Sequence, residues 1–222
     1  MRLQLHLTPN TQPVPFDHLH QLTGAIHKWL GPNNLHDGLS LYSFGWLRGG
    51  EKRKHELAFP KGAIWNISFH DDGEARQLLQ GLLKQPDVMY GMRVIATNEM
   101  PTPNFGESFL FKTDGSSVLA RTNRSDGTRA YLFWDNPLAD EIITGLLKQK
   151  LRKAGYAEDD LSVRVSFDRS YAKARTRNIK VKTTEHRGSE CPVLVEGTPE
   201  AVRFAWLVGI GDLTGSGFGG LL

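Results

Sequence analysis

Histidine is the side chain best suited to give and take protons near neutral pH, and this chain carries eight: His6, His18, His20, His27, His36, His55, His70 and His186. Spacing alone singles out none of them, because a solvated or structural role is the ordinary use of the residue. Two segments concentrate groups that bind phosphate. Residues 209–220 read GIGDLTGSGFGG, six glycines in twelve positions. A tight connection with positive φ accounts for one or two of these. Six favour close approach of the backbone to a ligand, most naturally a phosphate chain held by N–H groups. Gly215 to Gly220 fits G-x-G-x-x-G in form but lacks the following helix that a dinucleotide site requires.

The second segment, residues 161–187, holds Arg164, Arg169, Lys173, Arg175, Arg177, Lys180, Lys182 and Arg187 against Asp168 and Glu185, a net charge of +6. The whole chain is only +3, so the remainder is −3. One-sided charge of this kind is the electrostatic footprint of a phosphate-binding surface. Lys180 and Lys182 alternate with Ile179 and Val181, which predicts both lysines on one face of a strand or hairpin.

Other chemistries find no support. Cys191 is the single cysteine, so an internal disulfide and a cysteine-based zinc site are excluded and a reducing cytoplasm is expected. Neither G-x-S-x-G nor H-E-x-x-H occurs. No apolar run reaches the roughly 18 residues of a membrane span, and the alternating start MRLQLHLTPN is unlike an export signal.

The elements that must position these groups follow from periodicity. Residues 2–8 alternate as a half-buried strand, and Leu19, Leu22, Ile26 and Trp29 make a helical stripe between residues 16 and 30. Strands are predicted over 39–47, 62–69 and 88–96, with a helix capped by Asp71 or Asp72 between the last two. Strand, helix, strand, strand, helix, strand is the ferredoxin-like order. The second part repeats it: a strand over 106–112, a hairpin within 116–134, a helix capped by Asn136 with Pro137 at its first position, and strands over 161–167, 178–183 and 191–196. A helix opening on Thr198-Pro199-Glu200 completes the unit. The expected fold is α+β, two tandem ferredoxin-like (RRM-like) βαββαβ domains over 1–100 and 105–222, joined where Pro101 and Pro103 mark a linker.

The stretch from Pro199 to Leu222, PEAVRFAWLVGIGDLTGSGFGGLL, resembles the C-terminal glycine-rich signature of the RAMP superfamily of CRISPR proteins, most closely its repeat-processing endoribonucleases. A helix ends in Gly-Ile-Gly, a short polar turn follows, and Gly-Phe-Gly enters the last strand. The first half is similar as well: a helix, then Leu35-His36-Asp37, then the aromatic strand Leu41-Tyr42-Ser43-Phe44.

The resemblance implies a metal-independent, cofactor-free enzyme that cuts precursor CRISPR RNA within each repeat, giving guide RNAs for antiviral defence. Attack of a ribose 2′-OH on the neighbouring phosphate needs a base, an acid for the leaving 5′-oxygen, and donors or positive charge on the phosphate. In the family the catalytic histidine lies in the Leu-His-acidic segment, which carries over to His36. The second group on the preceding helix carries over to His27, with His20 one heptad earlier in reserve. Many relatives place a lysine just before the aromatic strand, where this chain has Ser40. Arg48, Lys52, Arg53 and Lys54 are the nearest replacements in sequence, unless they form a solvated hairpin tip. Arg48, Lys52, Lys173, Arg175, Arg177, Lys180, Lys182, Gly215 and Gly217 are the expected RNA-binding residues, the first domain carrying the histidines and the second the basic hairpin and glycine loop. Repeat RNA is the expected partner, with a CRISPR effector complex as a further one, no membrane, and a monomer or homodimer as the assembly. Two alternatives stay open: a non-catalytic RAMP subunit that binds CRISPR RNA, and an unrelated ferredoxin-like protein acting on a small phosphorylated ligand.

Overall fold

A computed structural model describes residues 1–33, 38–123 and 127–222. Its first half contains β1 (Arg2–Leu7), β2 (Val14–Pro15), α1 (Leu19–Leu30), β3 (Tyr42–Phe44), β4 (Glu51–Arg53), β5 (Glu56–Ala58), β6 (Ala63–Phe69), α2 (Asp72–Lys84) and β7 (Val94–Glu99). The main sheet runs β3-β6-β1-β7, antiparallel throughout. Counted without the small β2-β5-β4 sheet, that is the ferredoxin-like order. The alternation of β1 does what it predicts: Leu3, Leu5 and Leu7 are buried with Leu22, Ile26 and Trp29 of α1 and Leu78 of α2 in one core. Asp71 caps α2 by accepting from the Gly73 N–H at 2.6 Å, satisfying a donor the helix leaves open.

The strand expected over 88–96 lies instead at Val94–Glu99. Asp87 bridges Arg93, and Tyr90 between them has φ +48°. Met89 and Met92 are therefore core side chains of a turn, not strand residues. The basic stretch after β3 forms the β4–β5 hairpin, the tip that its charge allowed.

The second half contains β8 (Ser108–Phe111), β9 (Ala120–Asn123), β10 (Arg129–Leu132), α3 (Pro137–Lys153), β11 (Arg164–Phe167), β12 (Arg175–Val181), β13 (Thr184–Glu190), β14 (Val193–Glu196) and α4 (Pro199–Val208). Its sheet runs β11-β14-β8, and a bridge between Thr113 and Leu221 stands where the fourth strand belongs. The β9–β10 and β12–β13 hairpins are insertions into this βαββαβ order. Asn136 and Thr198 cap α3 and α4 as expected. The architecture is α+β with two ferredoxin-like halves. In β12–β13, Lys180 stands on the strand but Lys182 lies in the connecting turn with φ +55°. The two lysines therefore do not share a strand face as predicted, because the chain reverses at Lys182.

Each half has its own core, and Leu119, Ile179 and Phe218 of the second reach into the first. Asp114, 1 % exposed, sits on the seam. It accepts from Asn66 Nδ2 at 2.7 Å and lies 3.7 Å from Arg2 and 3.5 Å from Arg48. Burial pushes the Asp114 carboxyl up and the Arg2 guanidinium down to about 10, each shift opposed by the pairing. The network orients the two halves while retaining part of the desolvation cost of its charges.

Candidate active site and nucleic-acid interface

The glycine-rich segment leaves the end of α4, makes one turn of 3-10 helix at Thr214–Ser216 and passes against β3 and α1. A side chain at Gly215 would place its Cβ 2.5 Å from Ser40 Oγ and 2.8 Å from Tyr42 Oη. At Gly217, φ is +89° and a Cβ would meet the Phe44 ring at 2.9 Å. The other four glycines of the run also have protein atoms closer than 3.0 Å to where a Cβ would sit. The close approach inferred from composition is thus to the protein itself. The N–H groups of Gly209, Gly217 and Gly219 donate to Ala205, Thr214 and Ser117 carbonyls. Packing of the loop through the seam is by itself a reason for six glycines, and Gly211 and Gly215 also line a cleft.

Beside this loop is a cleft of about 160 Å³ lined by His27 and Thr23 of α1, residues 38–40, Tyr42, Lys150 of α3 and residues 211–216. His36 lies outside the described residues; Gly38, Leu39 and Ser40, which follow it closely in sequence, line the cleft. The Tyr42 hydroxyl donates to Gly215 O at 3.0 Å, so it faces His27 Nε2, 3.4 Å away, as an acceptor. Burial, with a smaller contribution from Glu74, raises the Tyr42 phenol and keeps it protonated. His20 is not among the lining residues; its ring meets Asp17 O at 2.9 Å and Gln21 at 3.1 Å. Of the two helix candidates, His27 is the one at the cleft.

Lys150 is a residue that sequence reasoning passed over. It is 2 % exposed, and its ammonium donates to Thr214 Oγ1 at 2.9 Å, Val208 O at 3.1 Å and Gly209 O at 3.4 Å. Thr214 in turn donates to Tyr42 O at 3.1 Å. Burial lowers the Lys150 amine to about 7, with Asp212 opposing. The cation expected from the stretch after β3 is therefore not what lines this cleft: Arg48 is engaged by Asp114 and Lys52 lines another surface. The only warning in the sequence was a lysine on the face of α3 that carries Leu147 and Ile143, one and two turns earlier.

Five of the nine expected RNA-binding residues divide between two further clefts, and Arg48, Lys182, Gly215 and Gly217 line neither. One, about 550 Å³, lies between α1's entry and the β12–β13 hairpin and brings together Lys52, Arg177 and Lys180 with Phe16 and Trp46. The other, about 640 Å³, holds Lys173 and Arg175 with Lys112 and Tyr171. Arg175 and Arg177 both pair with Glu190, which neutralises part of their charge. Cys191 lines the second cleft and is inert, its thiol pushed up to about 11 by burial. Gly217 is buried behind Phe44 and lines none of these three clefts. Among the described residues no group of three or more His, Cys, Asp and Glu could hold a metal ion, and no helix is long and apolar enough to cross a membrane.

Two ferredoxin-like halves, a glycine loop packed through their seam and a basic hairpin define an RNA-binding-type fold of the RAMP class. The chain belongs to a CRISPR-associated family: residues 99–221 match the profile of the CRISPR associated protein Cas6, C-terminal. Solved structures agree on the fold. A Cas6-related protein from Pyrococcus furiosus superposes with TM-score 0.87 at 19 % identity, covering 100 % of this chain and 97 % of that one. A RAMP protein binding different RNA substrates gives 0.82 at 19 % identity, with 100 % and 98 % coverage. A Cas6 product complex gives 0.68 at 16 % identity, with the same coverages. No curated protein sequence matches the chain.

Proposed function

We propose that this protein cuts precursor CRISPR RNA within its repeats, without metal, by attack of a ribose 2′-OH on the adjacent phosphate. The observation that carries the reading is the cleft at the glycine loop, where α1 presents His27 beside the segment that follows His36, in a chain of the Cas6 family. One histidine takes the 2′-proton while the other protonates the departing 5′-oxygen, so the phosphorus gains the 2′-oxygen and loses the 5′-oxygen. The products are a 2′,3′-cyclic phosphate and a 5′-hydroxyl. The half over 1–100 holds this chemistry, and the half over 105–222 holds RNA through Lys173, Arg175, Arg177, Lys180 and Lys182, joined by Lys52. A fold neighbour that is a RAMP protein binding different RNA substrates supports RNA as the ligand. A cytoplasmic location fits the single unoxidised cysteine.

The test is cleavage of end-labelled repeat RNA in EDTA. His36→Ala is expected to abolish cutting and leave repeat affinity nearly unchanged, since proton transfer is its task. His27→Ala is expected to slow cutting by about 10²- to 10⁴-fold, the usual worth of a general acid or base. A requirement for divalent metal overturns the mechanism. One observation favours a second reading, a non-catalytic subunit that binds CRISPR RNA: the cation at the cleft, Lys150, is buried and fully hydrogen-bonded, and position 40 is serine. Tight binding with no cutting, and no effect of His36→Ala, would establish that alternative.

A further inference from the structure

We propose that the cleft between Phe16 and the β12–β13 hairpin is a subsite for one unpaired nucleotide of the RNA, its base stacked on Phe16 and its phosphate held by Lys52 and Lys180. The inference rests on the reading of the protein as an RNA binder and specifies how part of that RNA is held.

Phe16 is 47 % exposed, and its ring lines this cleft. Pro15 precedes it in β2 and α1 begins three residues later, so the ring is carried by a short, stiff segment. Lys52 Nζ lies 5.8 Å from the Phe16 ring, within the range of a cation–π contact. Across the cleft, the Arg177 guanidinium lies 4.4 Å from the centre of the Trp46 ring, and Trp46 is anchored by its indole N–H donating to Gly217 O at 2.7 Å. The wall facing Phe16 is thereby flat and rigid too.

Charge and polarity point the same way. Lys52, Arg177 and Lys180 line the cleft against one carboxylate, Asp17. Arg177 is paired with Glu190, while among the described residues neither Lys52 nor Lys180 forms an ion pair. His18, also in the lining and 3 % exposed, donates from Nδ1 to Pro15 O at 2.8 Å; its Nε2 is buried with no hydrogen-bond partner among the described residues. The volume of about 550 Å³ is of the size that small-molecule sites have, roughly 300–1,000 Å³. An aromatic platform with unpaired cations at its rim is the chemistry that holds an unpaired base and its phosphate.

The experiment measures anisotropy of fluorescein-labelled RNA carrying the repeat of the CRISPR array nearest this chain's gene, with the full-length protein. Phe16→Ala is expected to weaken binding roughly 5- to 100-fold, the span that loss of one stacked base gives. Phe16→Tyr keeps the platform and stays within about twofold of the parent. Repeat RNAs with single abasic nucleotides should reveal one position where the parent loses affinity and Phe16→Ala loses none further. The thermal midpoint of Phe16→Ala should not move, which separates lost stacking from lost folding. Parent-like affinity of Phe16→Ala, beside weakened binding by a Lys52→Ala/Lys180→Ala variant, overturns the subsite and leaves RNA binding standing. Absence of repeat binding by the parent overturns both.

Discussion

The cleft at the glycine loop and the cleft at the hairpin use polar side chains in opposite ways. At the glycine loop, Tyr42, Thr214 and Lys150 spend their donors on one another and on backbone carbonyls. At the hairpin, Lys52 and Lys180 stand in solvent around a half-exposed ring. Positioning of proton-transfer groups demands rigidity to a fraction of an ångström, which a hydrogen-bonded cage supplies. Capture of a flexible polyanion demands unneutralised charge and an open face instead. Substitutions in the first cleft should therefore be felt in the stability of the fold, and those in the second almost only in binding.

The largest test of this contrast is Gly215→Val. Its side chain would fall on Ser40 Oγ and Tyr42 Oη, at 2.5 and 2.8 Å from the Cβ alone. Overpacking of this kind costs about 1–3 kcal/mol, so the denaturant midpoint should fall clearly. An unchanged midpoint would mean that the loop is free to move off β3. Tyr42→Phe comes next. It leaves the buried Gly215 carbonyl without its 3.0 Å donor, a loss of about 1–3 kcal/mol. Because the same hydroxyl faces His27 at 3.4 Å, cutting should slow by more than repeat affinity falls, which single-turnover rates beside binding curves will show.

Much of the closed cleft's frame was legible in sequence, and the contrast between the clefts explains why its contents were not. The caps Asp71, Asn136 and Thr198 and the alternation of Leu3, Leu5 and Leu7 are local signals, and each is where it was expected. Tertiary effects escaped. β13, reading THE sequence Thr184 to Glu190 with hardly an apolar residue, is a strand only because β12 pairs with it along its whole length. Val88, Met89 and Met92 imitate a strand because a turn can also fill a core. Lys150 reads as a cation complementing the end of α3, yet α4 and the glycine loop, some sixty residues on, close over it. Phe16 reads as the first apolar position of a helix, whereas α1 starts at Leu19 and leaves the ring outside the stripe.

Lys150 makes the closed cleft sensitive to pH. Its amine titrates near 7 in the folded protein against 10.5 for the ordinary value. Between those limits the unfolded chain binds more protons at this site, so the site's contribution to stability rises as pH climbs from about 7 towards 10.5. Below 7 the amine is charged in both states and the site contributes no slope. Denaturant unfolding across this range should show a stability difference between the parent and Lys150→Met that grows in the parent's favour as pH rises. A difference independent of pH would place the ammonium in water and break the comparison with the hairpin lysines.

The smallest effect on stability belongs to the open cleft, and it sharpens the comparison from the other side. Lys52→Ala with Lys180→Ala removes two cations that hold no ion pair among the described residues, so stability should stay within about 0.5 kcal/mol. Repeat binding should weaken, and more so at low salt. Each phosphate neutralised on a single strand contributes about 0.7 to the slope of log affinity against log salt, so loss of the one phosphate that both lysines hold should flatten that slope by roughly 0.7. Affinity titrations from low to moderate salt measure it directly. A slope unchanged beside a fallen affinity would mean that these lysines shape the cleft without touching phosphate, and the charge of the hairpin would then have to act through Lys173 and Arg175 in the neighbouring cleft.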